Sequence, residues 1–192
     1  MIVRYSKTRD GGITLSPHFQ VWEFQSYDDE QGYLTTDEIL LDTTNIDWLE
    51  RIFENFNCSK IIITSGYRSE DFDIRIGGFA GYHSKGQAVD FMCYDQNGQV
   101  IESRHICCFC ETIGVLGIGY GGNYTHIDTR DWKSFFDETN GTNNINSWYD
   151  YFGIERPVNV KEQKWNEIKE TCKNTQEQIL RLNNLLEEYE RL

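Results

Sequence analysis

The segment AVDFM at residues 88–92 constrains the chain most, because a carboxylate, Asp90, interrupts an otherwise apolar run. Burying a carboxylate is costly unless a partner compensates its charge. One of only four histidines, His83, lies shortly before it in GYHSKGQAVDFMCY. On a strand, Asp90 points away from the face of Val89 and Phe91, toward whatever the preceding loop brings over it. We interpret His83 and Asp90 as one half of a metal site.

A second polar pattern, NYTHIDTR at residues 123–130, supplies the other half. Side chains alternate along a strand, so Tyr124, His126 and Asp128 share one face. Two histidines and one carboxylate can take three tetrahedral corners around Zn²⁺ and leave the fourth for water, which is the catalytic arrangement. A lone histidine is most often incidental, but His-x6-Asp followed by a strand-borne His-x-Asp favours a zinc site.

The hydrophobic pattern predicts an α+β fold with a small, mostly antiparallel sheet and flanking helices. The segments NIDWLERIFENF and SRHICCFCETIG predict helices, the first of them clearly amphipathic. Strands are predicted at KIIITS, AVDFMCY, GVLGIGYGG and NYTHIDTR. Ser16-Pro17 predicts the start of a short N-terminal helix, and the glycine-rich residues 68–87 predict a long functional loop.

From residue 157 the pattern changes to a heptad repeat, which predicts a long C-terminal helix of about four heptads. We therefore expect a globular domain at 1–156 and a helical tail at 157–192. The seam positions of the tail are Trp165, Ile168, Cys172, Thr175, Ile179, Leu182, Leu186 and Tyr189. An isolated helix of this length is marginal in water, so it needs a partner. It either forms a coiled coil with another copy of the chain or folds back along its own domain.

Composition excludes several classes of partner. The net charge of −13 and the pI near 4.7 argue against binding to nucleic acid or to an anionic membrane surface. No apolar run approaches the roughly 20 residues needed to span a bilayer, and the start MIVRYSKTRDGG lacks the apolar region of a signal peptide. We expect synthesis in the cytoplasm.

The cysteine cluster CCFC offers an alternative site for a metal. Cys107 and Cys110 can share one face of the predicted helix and recruit His105 or Cys93. Thiol-rich helix faces are more often small apolar core, which is the interpretation that we favour.

The strings SGYRSEDFDIRIGGFAGYHSKGQAVDF and GIGYGGNYTHIDTR occur in this order and at the separations usual in one family. Together they resemble the zinc D-alanyl-D-alanine carboxypeptidases and L-alanyl-D-glutamate endopeptidases, which are peptidoglycan peptidases with the fold of the hedgehog signalling domain. The resemblance extends from about residue 16 to residue 135. It implies that the zinc ligands are His83, Asp90 and His126.

The same resemblance implies that Arg68 binds a substrate carboxylate or carbonyl. That role suits a planar guanidinium, which can hold a carboxylate through two hydrogen bonds. The alternative is an ordinary surface arginine that pairs with Glu70 or Asp73. Ser84, next to the first ligand, is a further candidate for substrate binding.

The chain departs from the family pattern at two positions. Gly81 replaces a serine, which removes one substrate hydrogen bond, and Asn123 replaces the acid that serves as general base. An amide cannot take a proton from water at neutral pH. Asp128 then either acts as the base or orients a ligand imidazole. Tyr124 is a candidate donor to the developing oxyanion.

The residue patterns predict a zinc site, and the family resemblance implies a zinc metallopeptidase that hydrolyses peptide bonds in peptidoglycan stem peptides or cross-links, as in a phage-type lysin or a recycling enzyme. Such a protein would reach the cell wall through lysis or a holin-type release. One alternative is a zinc-containing, catalytically weak module that binds cell-wall peptide. Another is an assembly protein in which the coiled-coil tail dominates.

Overall fold

The computed structural model describes residues 1–25, 36–77, 80–157, 168–179 and 181. The chain divides into two units, Met1–Ile154 and Glu155–Leu192. Within the described residues, no helix is long and apolar enough to cross a membrane.

The first unit mixes short strands and helices along the chain. Its strands are β1 Ile2–Ser6, β2 Thr14–Ser16, β3 Phe19–Gln20, β4 Glu38–Asp42, β5 Lys60–Ser65, β6 Ala88–Tyr94, β7 Gly117–Tyr120, β8 Thr125–Asp128, β9 Ser134–Asp137 and β10 Thr142–Asn143. Its α-helices are α1 Lys7–Asp10, α2 Thr43–Asn55, α3 Glu70–Arg75, α4 Ser103–Thr112 and α5 Trp148–Phe152, and a 3-10 helix covers Val21–Phe24.

The main sheet has six strands in the order β10-β9-β7-β8-β6-β5. Its neighbours run antiparallel except β7 and β9, which are parallel. The strand pairs β1-β4 and β2-β3 form two small antiparallel sheets. The predicted α+β class and its mostly antiparallel sheet are therefore confirmed, although sequence patterns had not predicted β1, β2, β3, β4, β9 or β10.

One face of the main sheet packs against helices α2 and α4 and forms the core. Alternation along the strands assigns Val89, Phe91, Ile118 and Ile127 to this face, and all four are buried. Helix α2 is amphipathic as predicted. Asp42 is its N-cap, and the Asp42 carboxylate accepts a hydrogen bond from the backbone N–H of Thr44. The opposite face of the sheet is left for polar side chains.

Two local predictions need correction. The N-terminal helix predicted to start at Ser16-Pro17 is wrong, because Ser16 ends β2 and pairs with Phe19 of β3. A proline suits a tight turn as well as a helix start, and here the turn prevails. The long loop predicted at 68–87 contains a helix, α3, whose first turn is capped by the side chain of Ser69.

The cysteines of the predicted helix lie in the core. Cys107, Cys108 and Cys110 are buried in α4, and Cys93 is buried in β6. Burial raises the pKa of Cys107 and of Cys110 above the usual thiol value, which keeps both thiols protonated. His105 is exposed at the surface of α4 and pairs with Glu102.

The second unit contains a described helical segment at residues 168–179, and residue 181 is also helical. The seam positions Ile168 and Ile179 are 47% and 52% exposed there, and Cys172 is exposed as well. Trp165, Leu182, Leu186 and Tyr189 lie outside the described residues. A single helix across all of 157–192 therefore stays a prediction.

Candidate active site

Three side chains named from the sequence meet on the polar face of the main sheet. His83, Asp90 and His126 each offer a ligand atom, and these atoms all lie within 4.8 Å of one another. His83 Nε2 is 3.3 Å and His126 Nδ1 is 2.7 Å from the same oxygen, Asp90 Oδ1. All three residues are buried, with exposures of 6% or 7%. The two nitrogens and the oxygen thus converge on one point.

Strand register brings two of these residues together. Asp90 of β6 and His126 of β8 are direct partners across the antiparallel pair. Side chains of directly opposed residues lie on one face with their Cβ atoms about 5 Å apart. The register of β6 and β8 therefore places the Asp90 carboxylate next to the His126 imidazole.

His83 arrives from the loop before β6. Its carbonyl accepts a hydrogen bond from the N–H of Gly86 at 3.0 Å, and the carbonyl of Gly86 accepts one from the N–H of Asp42 at 2.7 Å. Gly86 has φ of +71°, and a Cβ there would lie 2.4 Å from the backbone of Leu40. Only glycine fits this conformation and this close approach, so the turn that presents His83 depends on it.

Each imidazole has its outer nitrogen fixed by the protein. His83 Nδ1 lies 2.8 Å from the carbonyl oxygen of Gly66, which can only accept, so Nδ1 carries the hydrogen. His126 Nε2 lies 3.1 Å from Asp128 Oδ2, and the carboxylate accepts its hydrogen. When the imidazoles are neutral, the remaining nitrogens, which face Asp90, have free lone pairs. This arrangement is typical of histidines that bind a metal ion.

Asp128 lies behind His126, on the far side of the imidazole from Asp90. It is fully buried, and Arg130 binds both of its oxygens, with Nε 2.7 Å from Oδ1 and NH2 2.5 Å from Oδ2. Burial disfavours its ionisation, but His126 and Arg130 lower the pKa of Asp128 to about 2. Of the two roles considered for Asp128, this geometry favours orienting the imidazole over acting as base.

The charges in the centre favour a cation. Burial opposes ionisation of Asp90, yet the charges and hydrogen bonds of His83 and His126 hold the pKa of that carboxyl far below its usual range. Burial also opposes a charged His126, but hydrogen bonds to Asp128 and Asp90 raise the pKa of its imidazole to about 9. A divalent metal ion can replace the proton that the His126 imidazole would otherwise hold.

The donor set fits a resident metal ion. Two neutral imidazole nitrogens and one carboxylate oxygen are the ligands of catalytic metal sites that keep a position open for water or substrate. The ion would be held by His83, Asp90 and His126. Among the described residues, no other group of three or more His, Cys, Asp or Glu side chains meets the same distance criterion.

Arg68 lies at the edge of this centre and binds acids of the protein itself. Its NH2 donates to Asp90 Oδ2 at 2.9 Å, its NH1 to Asp73 Oδ1 at 3.2 Å, and its Nε to Ser65 Oγ at 2.8 Å. The Asp73 pair that was the alternative interpretation is therefore present, together with an unforeseen contact to a metal ligand. Arg68 orients Asp90 so that Oδ1 faces the two histidines.

The other residues named from the sequence have different positions. Ser84 donates its hydroxyl to the carbonyl of Gly81 at 3.0 Å, so it stabilises its own turn. Asn123 is exposed in the hairpin between β7 and β8, next to Gly122 with φ of +80°. An amide at a hairpin tip cannot replace the missing base.

Tyr124 has a partner that sequence patterns did not predict. Its hydroxyl donates to Oε2 of Glu138, which follows β9. Burial, the hydrogen bond to Glu138 and the charge of Asp90 raise the pKa of Tyr124 above its usual value, while Arg68 opposes this. The hydroxyl thus donates to Glu138 in this structure, and donation by Tyr124 to an oxyanion stays a prediction. No local motif marks Glu138, since only the pairing of β9 with β7 brings it here.

Three alternate glycines of β7 and its extension make room for the site. A Cβ at Gly117 would lie 2.0 Å from Asp128 Oδ1, one at Gly119 would lie 2.5 Å from the ring of Phe136, and one at Gly121 would lie 2.2 Å from the ring of Tyr124. Side chains of the site therefore pack directly against the backbone of this segment, because all of its residues on this face are glycines. We call Gly117, Gly119 and Gly121 the glycine floor.

Fold and site together define an α+β protein with a buried two-histidine, one-carboxylate centre of the kind found in metal-dependent hydrolases. The sequence matches the family model described as Peptidase M15 over residues 17–128, more than half of the chain. The chain belongs to this family, and the matched region ends at Asp128, so it contains all three ligands. A search of curated proteins found no match, and a search of solved structures found none either.

Proposed function

We propose that this protein is a zinc-dependent peptidase that hydrolyses peptide bonds in peptidoglycan stem peptides or cross-links. The observation that carries the proposal is the convergence of His83, Asp90 and His126, with the outer nitrogen of each histidine held by the protein. Membership of the Peptidase M15 family supports a peptidase. Zinc is the metal that this borderline nitrogen and oxygen donor set favours for hydrolysis.

Bound at these ligands, Zn²⁺ would polarise a scissile carbonyl and lower the pKa of the attacking water. The protein itself supplies the groups that keep the three ligands in position. Gly66 and Asp128 keep the imidazoles oriented, and Arg68 keeps Asp90 oriented. Burial of these groups strengthens their electrostatic effect on a substrate, because the local dielectric constant is lower than that of water.

A cavity beside Arg68 supports the choice of a peptide substrate. It has a volume of about 330 Å³ and is lined by apolar side chains and by charges of both signs, among them Ile63, Phe72, Ile76, Glu23 and Arg68. A guanidinium has five N–H donors, so three contacts to the protein do not exhaust it. The remaining donors suit a terminal carboxylate, and the apolar side chains suit the small methyl groups of alanine.

A second candidate function is a zinc-containing module that binds cell-wall peptide and cleaves it slowly or not at all. Two observations favour it. The family's base position is the exposed amide Asn123, and Asp128 is fully engaged by His126 and Arg130. A metal site without an effective base would bind substrate and polarise it without efficient turnover.

Metal content and cleavage, measured together, separate the two functions. We expect about one zinc per purified chain by elemental analysis, and release of peptide fragments from purified peptidoglycan. The variant His126→Ala should lose both, whereas His105→Ala, which changes an exposed histidine on α4, should keep both. Zinc without cleavage of any type of peptidoglycan would favour the binding module. Absence of zinc in the wild type would contradict both functions.

A further inference from the structure

The proposed peptidase needs a group that exchanges protons with the attacking water, and the acids nearest the ligands are already engaged. Asp128 binds His126 and Arg130 through both oxygens. Asp73 accepts hydrogen bonds from Arg68 and from the N–H of Gly81. A carboxylate that balances a neighbouring arginine is a poor base, because the cation favours its charged form.

Glu138 directly follows β9, and so it lies on a different segment from Asp128 and Asp73. Strand β9 runs parallel to β7, and the N–H of Glu138 donates to the carbonyl of Tyr120 at 2.9 Å. On the other side of the same segment, the N–H of Gly121 donates to the carbonyl of Tyr124 at 3.0 Å. Glu138 and Tyr124 therefore lie on the two segments of the chain that are hydrogen-bonded to either side of the segment containing Gly121.

The missing side chain of Gly121 allows the two to meet. The Tyr124 ring occupies the space where a Cβ of residue 121 would be, with Cζ only 2.2 Å from that position. The hydroxyl reaches across and donates to Glu138 Oε2. Any other residue at 121 would displace the ring, so the glycine is required for this pair.

Tyr124 lies on the same face of the sheet as His126. It directly precedes β8, in which His126 is the second residue. A Cβ at Gly119 would lie 3.0 Å from the Cβ of His126, so His126 over Gly119 and Tyr124 over Gly121 lie on the same side of this segment. We infer that Tyr124 and Glu138 form the acid–base pair of the peptidase, with Glu138 as the proton acceptor and Tyr124 as the relay; the inference rests on the proposed function.

The proton balance of this step is complete. As the water oxygen bonds to the scissile carbonyl carbon, its O–H bond breaks and the proton passes to the Tyr124 oxygen. The phenol proton moves at the same time to Glu138 Oε2, so Tyr124 stays neutral and Glu138 becomes a carboxylic acid. When the C–N bond breaks, Glu138 returns a proton through Tyr124 to the departing amine nitrogen. The products are a carboxylic acid and an amine, and both side chains are restored.

The first part of the test measures turnover of purified peptidoglycan by the zinc-loaded full chain, from the amino groups released. We expect Glu138→Gln and Tyr124→Phe each to lower kcat by about 100-fold with little change in KM. The double variant should be no slower than the slower single variant, because both substitutions interrupt one relay. Glu138→Asp should restore part of the rate. The control Glu102→Gln removes an exposed charge on α4 and should leave kcat unchanged.

The second part does not depend on activity. In metal-free protein, we compare the thermal unfolding midpoints of the wild type, Tyr124→Phe, Glu138→Gln and the double variant. These four proteins make up a double-mutant cycle. Because both single changes break the same hydrogen bond, their decreases should not add in the double variant. Zinc content should be the same in all variants, since neither residue is a ligand.

The outcomes separate this inference from the function on which it rests. An active wild type whose kcat falls less than threefold in Glu138→Gln contradicts the relay and leaves the peptidase intact. Additive decreases in the unfolding cycle contradict the Tyr124–Glu138 pair itself. A wild type that binds zinc but releases no amino groups contradicts the proposed function, and the relay with it.

Discussion

At the scale of single residues, the orientation of the two imidazoles determines what the centre can bind. His126 could turn either nitrogen toward Asp90, and the hydrogen bond from Nε2 to Asp128 selects Nδ1. Arg130 in turn fixes Asp128, and its guanidinium lies 4.5 Å from the ring centroid of Tyr82, the residue before His83. A chain of contacts thus extends from the surface to the ligand atom.

This chain predicts the effect of Asp128→Asn. An amide no longer neutralises Arg130, and it holds the His126 hydrogen more weakly than a carboxylate does. We expect metal affinity to fall by about 10- to 100-fold, as for other residues that orient a ligand histidine. Competition with a chromophoric chelator measures this affinity. Asp131→Asn, at an exposed neighbouring position, should match the wild type, and equal affinities for all three proteins would contradict the assigned role.

The raised pKa of His126 predicts a pH dependence of metal binding. A metal ion needs the neutral imidazole, and with a pKa of about 9 the metal-free protein has this histidine protonated at neutral pH. Binding must then displace a proton, so affinity should rise by about tenfold for each pH unit from 6 toward 9. Calorimetry at pH 7 in buffers of different ionisation enthalpy should detect release of about one proton. Affinity independent of pH over this range would contradict the assignment.

At the scale of elements, β7 shows how a strand can serve a site without contributing a side chain to it. The glycine floor lets β8 and β9 place their side chains over β7. On the other face, Ile118 is fully buried in the core. The alternation of Gly117-Ile118-Gly119-Tyr120-Gly121 therefore combines a packed face with an empty one. The segment had been predicted only as a strand.

Gly117→Ala tests the glycine floor. Its Cβ would lie 2.0 Å from Asp128 Oδ1, and Asp128 is held on both sides by His126 and Arg130. We expect a loss of roughly 1–3 kcal/mol in the free energy of unfolding, as for other overpacked sites. Metal affinity should fall as well, because Asp128 must move away from His126. Gly12→Ala is the control, since a Cβ at Gly12 meets nothing within 4 Å. Equal stability of the two variants would contradict this account.

At the scale of the whole molecule, the chain combines the sheet domain with a second unit whose described helix exposes apolar residues. Ile168 and Ile179 are about half exposed, with intervening charged residues such as Lys169 and Glu177. The heptad pattern predicts that such residues are covered by another helix. Association of two or more chains through 157–192 is the proposal that we test.

Ile179→Lys should weaken that association because it places a charge in the seam. We expect light scattering after size-exclusion chromatography to give the mass of an oligomer for the wild type and that of one chain for the variant. Gln178→Lys adds the same charge one position away from the seam and should keep the wild-type mass. A monomeric wild type would instead favour a tail that folds back on its own domain.

Much of the fold followed from local patterns, and the exceptions have physical reasons. Helices α2 and α4 and strands β5, β6, β7 and β8 were predicted because apolar periodicity marks each of them. Strands β2, β3 and β10 have only two or three residues each, so too few residues alternate to give a signal. Proline misled the prediction at Ser16-Pro17, since it fits the first position of a turn and of a helix equally.

The sequence by itself indicated the candidate metal ligands. Strand alternation and the spacing His-x6-Asp and His-x-Asp depend on local geometry and singled out His83, Asp90, His126 and Asp128, and the family resemblance implied that the first three are the ligands. Tertiary structure decided the rest of the site. The contact of Arg68 with Asp90, the engagement of Asp128 by Arg130, and the meeting of Tyr124 with Glu138 over Gly121 all depend on how separate segments pack. The last depends on the register of the one parallel strand pair, β7 and β9, which no periodicity within either strand encodes.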